Sequence, residues 1–253
     1  MDGLTQKGCN SANWRILTIA AVLVAGPSTA VLGETTPNAG DCGERGVIVQ
    51  SRFYVTNAPL QADIVQLVVD FPPGAWTSWH THGGQAINLV LEGEITLRHA
   101  GMEHPYRAGQ AWTDSSGQVH AAGNPGPGKA RLLTNFLLPP GAPQITVVQD
   151  STFEPIVAHE ARFALPALTA DTEIAQQVVD LPPGLPAERT AVGFMSIIII
   201  TGEVTYKIGA EGKARKAGEA FSVPAGTLVA EENRSAATAR VFMTCLLPKR
   251  SGL

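Results

Sequence analysis

A heptapeptide that returns with a single change constrains this chain more than any other feature. Val68-Val69-Asp70-Phe71-Pro72-Pro73-Gly74 returns as Val178-Val179-Asp180-Leu181-Pro182-Pro183-Gly184, so Gly184 stands 110 residues after Gly74. Upstream, Ser51-Arg52-Phe53 returns at the same offset as Ala161-Arg162-Phe163. Downstream, Gly93-Glu94-Ile95-Thr96 returns as Gly202-Glu203-Val204-Thr205, and Leu137-Leu138-Pro139 as Leu246-Leu247-Pro248, both 109 residues on. The chain therefore holds two copies of one domain, with one residue missing between Gly184 and Gly202. Each copy is a series of apolar or alternating stretches broken by Gly and Pro, of which the chain has 26 and 18. Ala62–Phe71, Ala86–Leu91, Glu94–His99 and Arg131–Leu138 read as strands, as do Ala175–Leu181, Ser196–Thr201, Val204–Ile208 and Arg240–Leu247. Neither copy sustains a helical period over three turns, so two small β-sandwiches or barrels are expected, jelly rolls among them. The segment 141–153 links the copies, and a crossing strand is one form that link can take.

The N-terminus has the order of a secretory signal. Lys7 and Arg15 precede the apolar run Ile16–Ala25, and the small residues Ser28, Thr29 and Ala30 follow. That run is too short to span a bilayer as a helix; the competing reading is an uncleaved, membrane-associated helix. Cleavage after Ala30 or Gly33 predicts a secreted or periplasmic protein with no membrane contact afterwards. It also removes Cys9 and leaves Cys42 and Cys245 near the two ends of the mature chain. In an oxidising compartment these can pair; otherwise they are separate thiols, Cys245 within an apolar strand. With 16% charged residues and a net charge of −4, a dense basic surface for nucleic acid is not expected, nor a DNA-binding segment.

The chemistry concentrates in the first copy. In Trp79-His80-Thr81-His82 two imidazoles stand two residues apart, which on a strand places both on one face. Two His bind a divalent ion only with a third ligand, and His120 is the candidate. A polar, metal-free pocket is the alternative.

These residues resemble the two motifs of the cupin family. Gly74, His80, His82 and Gly93 stand at the places of the first motif; Gly109, Gly117, His120 and Asn124 at those of the second, with Ser115 in place of its Pro. The later copy matches the second motif at Gly218, Pro224, Gly226 and Asn233. It has Val229 in place of the His, and Thr190 and Val192 in place of the His-x-His. The chain is thus similar to a bicupin of the quercetin-dioxygenase-like kind. The resemblance implies an all-β fold of two tandem jelly-roll (double-stranded β-helix) barrels. A signal peptide over 1–33 would precede a metal-binding barrel over 44–150 and a degenerate barrel without metal ligands over 151–253. It implies one divalent transition metal, Fe, Mn, Ni, Cu or Zn, held by His80, His82 and His120. The acidic ligand of the motif would stand near 86 or 87, which are Ala86 and Ile87. Gln85 is the candidate replacement, and Asn88, Trp76, Trp112 and Asp114 are candidate pocket residues. Without a carboxylate the ion's charge is uncompensated, which favours an anionic partner.

His99, His104 and His159 read as structural or solvent-facing, and Glu188 and Arg189 as exposed remnants of the second pocket. The second copy would bury a face of the first, dimerise, or bind a ligand without metal. Three functions fit. The first is a dioxygenase-like oxidoreductase acting on a small anionic or aromatic substrate. The second is a metal-dependent hydrolase, lyase or isomerase, with Asp114 the nearest acidic candidate for its base. The third is a non-catalytic protein that captures a small ligand.

Overall fold

The computed structural model describes Cys42 and residues 45–56, 58–168 and 171–248; the signal-like segment and Cys9 lie outside these. The first half contains β1 (Val47–Thr56), β2 (Asp63–Phe71), β3 (Trp79–Thr81), β4 (Gln85–Glu92), β5 (Glu94–His99), β6 (Met102–Arg107), β7 (Ala111–Asp114), β8 (His120–Gly123), β9 (Ala130–Leu138) and β10 (Thr146–Gln149). The second contains β11 (Ile156–Ala164), β12 (Asp171–Leu181), β13 (Ala187–Thr190), β14 (Phe194–Thr201), β15 (Glu203–Ile208), β16 (Glu211–Lys216), β17 (Ala220–Val223), β18 (Leu228–Glu232) and β19 (Ala239–Pro248). The fold is all-β, as expected. Among the described residues no helix is long and apolar enough to cross a membrane.

Two antiparallel sheets enclose each core. In the first barrel the order β11-β2-β9-β4-β7 faces β10-β3-β8-β5-β6; in the second, β1-β12-β19-β14-β17 faces β13-β18-β15-β16. The sequence division at 150/151 is not the division of the sheets. β1, the lead strand of the first copy, pairs with β12, and β11, its repeat counterpart, pairs with β2. The copies have exchanged their lead strands, which local pattern cannot reveal because either partner satisfies the same backbone groups. The link contributes β10, which pairs with β3 at the first barrel's edge.

This exchange explains why β2 and β12 read as continuous apolar runs rather than alternating ones: both faces are covered. Val65, Leu67, Val69 and Phe71 fill the first barrel. Ile64 and Val68, on the opposite face, meet Ile174, Phe194, Val178 and Phe242 of the second. Polar residues are stitched into that interface in pairs. Gln66 Nε2 and Asn135 Nδ2 donate to Thr244 Oγ1, and Gln176 Nε2 donates to the Ile87 carbonyl. Burying a face of the first barrel is therefore one task of the second copy.

Cys42 and Cys245 are joined in a disulfide, with Cα atoms 5.8 Å apart. The strand exchange makes this possible: β1 runs in the second barrel's sheet, so Cys42, five residues before it, lies beside β19. The two copies also share, at matching positions, a close approach that only glycine permits. A Cβ on Gly84 would stand 2.0 Å from the Leu137 carbonyl oxygen, and one on Gly193 would stand 1.8 Å from that of Leu246.

Candidate metal centre

His80 lies on β3, His82 just beyond it and His120 at the start of β8, where His80 and His120 are direct cross-strand partners. The two-residue spacing turns both early imidazoles inward, and all three are buried. Their ligating nitrogens lie within 4.8 Å of one another.

Backbone carbonyls decide which nitrogen carries the proton. His80 Nδ1 lies 2.6 Å from the Ser78 carbonyl, His82 Nδ1 2.8 Å from that of Gln144, and His120 Nδ1 2.9 Å from that of Gln118. A carbonyl only accepts, so each Nδ1–H donates and each Nε2 is left as a bare lone pair. His82 Nε2 and His120 Nε2 then face each other at 3.2 Å. Two lone pairs at that distance repel unless a cation sits against both. Burial also holds all three imidazoles below the ordinary His range, His82 at about 3, so protonation does not supply that cation at neutral pH. The donor set fits a divalent transition metal, with the hydrogen bonds to carbonyls orienting each ring. Its identity is left open by neutral imidazoles.

The cavity has a volume of about 160 Å³. Its wall is mostly apolar, with Leu67, Val69, Leu132, Phe136 and Trp112 prominent, and among the described residues no Lys or Arg lines it. Ile145, Val147, Glu154 and Val157, from the link and the exchanged strand, complete its mouth. Glu154 Oε1 accepts from the Ser78 amide at 2.9 Å and from its hydroxyl, fastening that crossing to the site.

Of the candidate pocket residues, Asn88, Trp112 and Asp114 line the cavity and are bonded to one another. Asn88 Nδ2 donates to Asp114 Oδ2 at 2.8 Å, and Trp112 Nε1 donates to Asp114 Oδ1 at 3.2 Å. Asp114 Oδ2 lies 3.5 Å from His120 Nε2. Burial raises its carboxyl to about 6, against the pull of the Asn88 and Trp112 donors.

Two expectations are corrected. Gln85 does not join the imidazoles: three positions before Asn88 on β4, it falls on the opposite face of the pleat, with Ile87 in the inter-barrel core. Trp76 lies outside the barrel wall, its ring against Gly123 and covered by the Arg98 guanidinium 3.6 Å from its centre. His99 and His104 stack on each other at the surface hairpin, as read.

The second barrel shifts one alignment. Arg189, not Thr190, pairs with Val229, so Arg189 and Ala191 hold the places of His80 and His82. The constant 109-residue offset from His120 to Val229 carried this signal. Arg189 is not an exposed remnant either: it makes a two-point ion pair with the buried Glu231, at 3.0 and 2.9 Å, beside the buried ring of Tyr206. A bound guanidinium occupies the space where the first barrel gathers its imidazoles. Glu188 is exposed, as expected.

The buried imidazoles set a pH dependence for the metal-free protein. His82 has a folded pKa of about 3 against 6.5 when unfolded, so the unfolded chain binds the extra proton between these values. Stability is therefore complete above 6.5 and falls below it, by about 2 kcal/mol at pH 5 from His82 alone. His80 and His120 shift in the same direction. Asp114 opposes them, its raised pKa returning about 1 kcal/mol over the same interval. Urea titrations of chelator-treated protein are expected to show lower stability at pH 5 than at pH 7; equal midpoints would mean the imidazoles are not held neutral.

Residues 67–136 match the family described as a cupin domain. No curated protein matches the chain. Among solved structures, AerE from Microcystis aeruginosa is 16% identical, with 79% of this chain and 98% of that one covered and a TM-score of 0.51. A vicilin from Solanum melongena, described as having different anionic ligands in structurally similar pockets, is 11% identical over 74% and 76% of the two chains, with a TM-score of 0.55. An oxalate decarboxylase is 12% identical over 85% and 81%, with a TM-score of 0.52. At these identities the likeness is one of fold.

Proposed function

We propose that this chain, whose residues 67–136 match a cupin domain, is an exported, metal-dependent oxidoreductase of the dioxygenase-like type. The observation that carries the reading is the convergence of three buried Nε2 lone pairs on a small apolar cavity. A metal bound there would polarise a coordinated oxygen of the substrate and offer an open position for O₂. The protein's own part is to hold three rings in one tautomer, to exclude water with Leu67, Val69, Phe136 and Trp112, and to close the mouth with the crossing segment.

The lining narrows the substrate. A polyanion would find two carboxylates, Asp114 and Glu154, and, among the described residues, no Lys or Arg. The cavity suits a small, largely apolar molecule that meets the metal through an acidic hydroxyl, as an enol or catechol does. Export is supported by the order of the N-terminal segment and by a disulfide, a bond favoured in oxidising compartments.

One observation favours a second reading, a hydrolase, lyase or isomerase: Asp114 places a buried carboxylate within the cavity, where a general base would stand. O₂ consumption by protein loaded separately with Fe, Mn, Ni or Cu, against a panel of catechols and enols, separates the two. Uptake coupled to substrate loss supports the oxygenase reading. Turnover without O₂, best with Zn, would replace it with the second, and tight binding without turnover would leave a ligand-capturing protein.

A further inference from the structure

The cupin motif expects its acidic ligand on β4, at a position that here is Ala86. Of the two residues near that place, only Ala86 faces the barrel interior; Ile87 points into the inter-barrel core. The cross-strand partner of Ala86 on the neighbouring strand β7 is Asp114. Residues directly opposite in an antiparallel pair project from the same face with Cβ atoms about 5 Å apart. A carboxylate at 114 can therefore reach the region that one at 86 would occupy, and the small side chain of alanine leaves that space open.

We infer that Asp114 is the carboxylate ligand of the metal, moved from one strand to the residue paired with it on the next. The inference rests on the reading of the three imidazoles as a metal site. Donors held by one ion at about 2.0–2.2 Å stand roughly 3–3.5 Å from their neighbours. His82 Nε2 lies 3.2 Å from His120 Nε2, and Asp114 Oδ2 lies 3.5 Å from the same atom. The side chain is fixed as a ligand should be. Asn88 and Trp112 donate to it from the side, and Asn88 is itself held by the Thr134 hydroxyl at 2.8 Å.

A second observation is independent of the motif. Asp114 is 4% exposed, and among the described residues no Lys or Arg lines the cavity around it. A buried carboxylate without a cationic partner is costly, and a divalent ion at the three imidazoles would supply that partner. The bound site then carries one net positive charge rather than two, which matches a substrate that ionises once. Ligation would also occupy the acid that the hydrolase reading needs as a free base.

The test is Co(II) titration of chelator-stripped protein, followed by calorimetry and by the visible absorption of the bound ion. Wild type, Asp114→Asn, Asp114→Ala and Ala86→Glu/Asp114→Ala are compared, with circular dichroism to confirm folding. Wild type is expected to bind one equivalent. Asp114→Asn should bind about 100-fold more weakly and show a changed Co(II) band, a loss in keeping with removing one of four ligands. Ala86→Glu in the Asp114→Ala background should restore at least about tenfold, because it returns the carboxylate to the motif's own place. Asp114→Asn with wild-type affinity and spectrum would overturn the inference and leave the metal reading intact. Weakened binding with an unchanged band would also overturn it, since the carboxylate would then act only through its charge. Wild type that takes up no Co(II) would overturn both.

Discussion

The His80→Ala/His82→Ala variant is expected to lose its metal while keeping its fold. A four-ligand site gains about 10–16 kcal/mol from its ion, about 3 kcal/mol for each ligand, so removing two should weaken binding by about 10⁴-fold. The fold should survive because the repulsion between facing lone pairs offsets part of what these side chains contribute to the packing of the metal-free protein. Their rings are buried, each holds an Nε2 lone pair toward the cavity, and two of those lone pairs face one another at 3.2 Å. The metal-free variant is therefore expected to match metal-free wild type in urea, and to lose the decline below pH 6.5 that His82 imposes. Metal content by mass spectrometry and denaturation of both proteins at pH 7 and pH 5 check the two halves. Retention of stoichiometric metal would place the site elsewhere. A large loss of metal-free stability would show that the rings are packing elements first.

The second large effect is expected from the disulfide. Cys42–Cys245 closes a span of 203 residues, for which the chain-entropy relation gives about 5 kcal/mol of stabilisation. Reduction, or Cys42→Ser/Cys245→Ser, should lower the urea midpoint accordingly. Both cysteines belong to the second barrel's core, so Co(II) affinity in the first barrel should hold below the transition. A loss under about 1 kcal/mol would mean that the pairing of β1 with β12 already confines the N-terminal strand. Loss of metal affinity in the reduced, folded protein would mean that the exchanged strands couple the two barrels.

Much of the site was legible in the residues. The His-x-His spacing determines that both imidazoles share a face of a strand, and the cavity side is the one that collects them with His120. Gln85 was legible in the same way and was misread: once Asn88 faces the pocket, a residue three positions earlier on a strand cannot. The counterpart of His80 was also within reach, because the 109-residue offset that relates His120 to Val229 leads from His80 to Arg189. Other features had no local signal. Trp76 can be placed outside the wall only by knowing that it lies over Gly123. Glu154 and Ile145 reach the mouth because the link folds back over the first barrel.

By itself the sequence determined two copies of one all-β domain, three imidazoles in the first and none at the matching places in the second. These follow from repeats and from a period of two, which are properties of adjacent residues. Only the tertiary structure decided that the copies exchange lead strands, that Cys42 meets Cys245, that Arg189 pairs with Glu231 in the second barrel, and that Asp114 stands opposite Ala86. The physical reason is the same for each. Backbone hydrogen bonds between strands are alike whichever strands form them, so pairing is selected by the packing of whole faces, and what a side chain meets across a sheet is settled only when the sheets close.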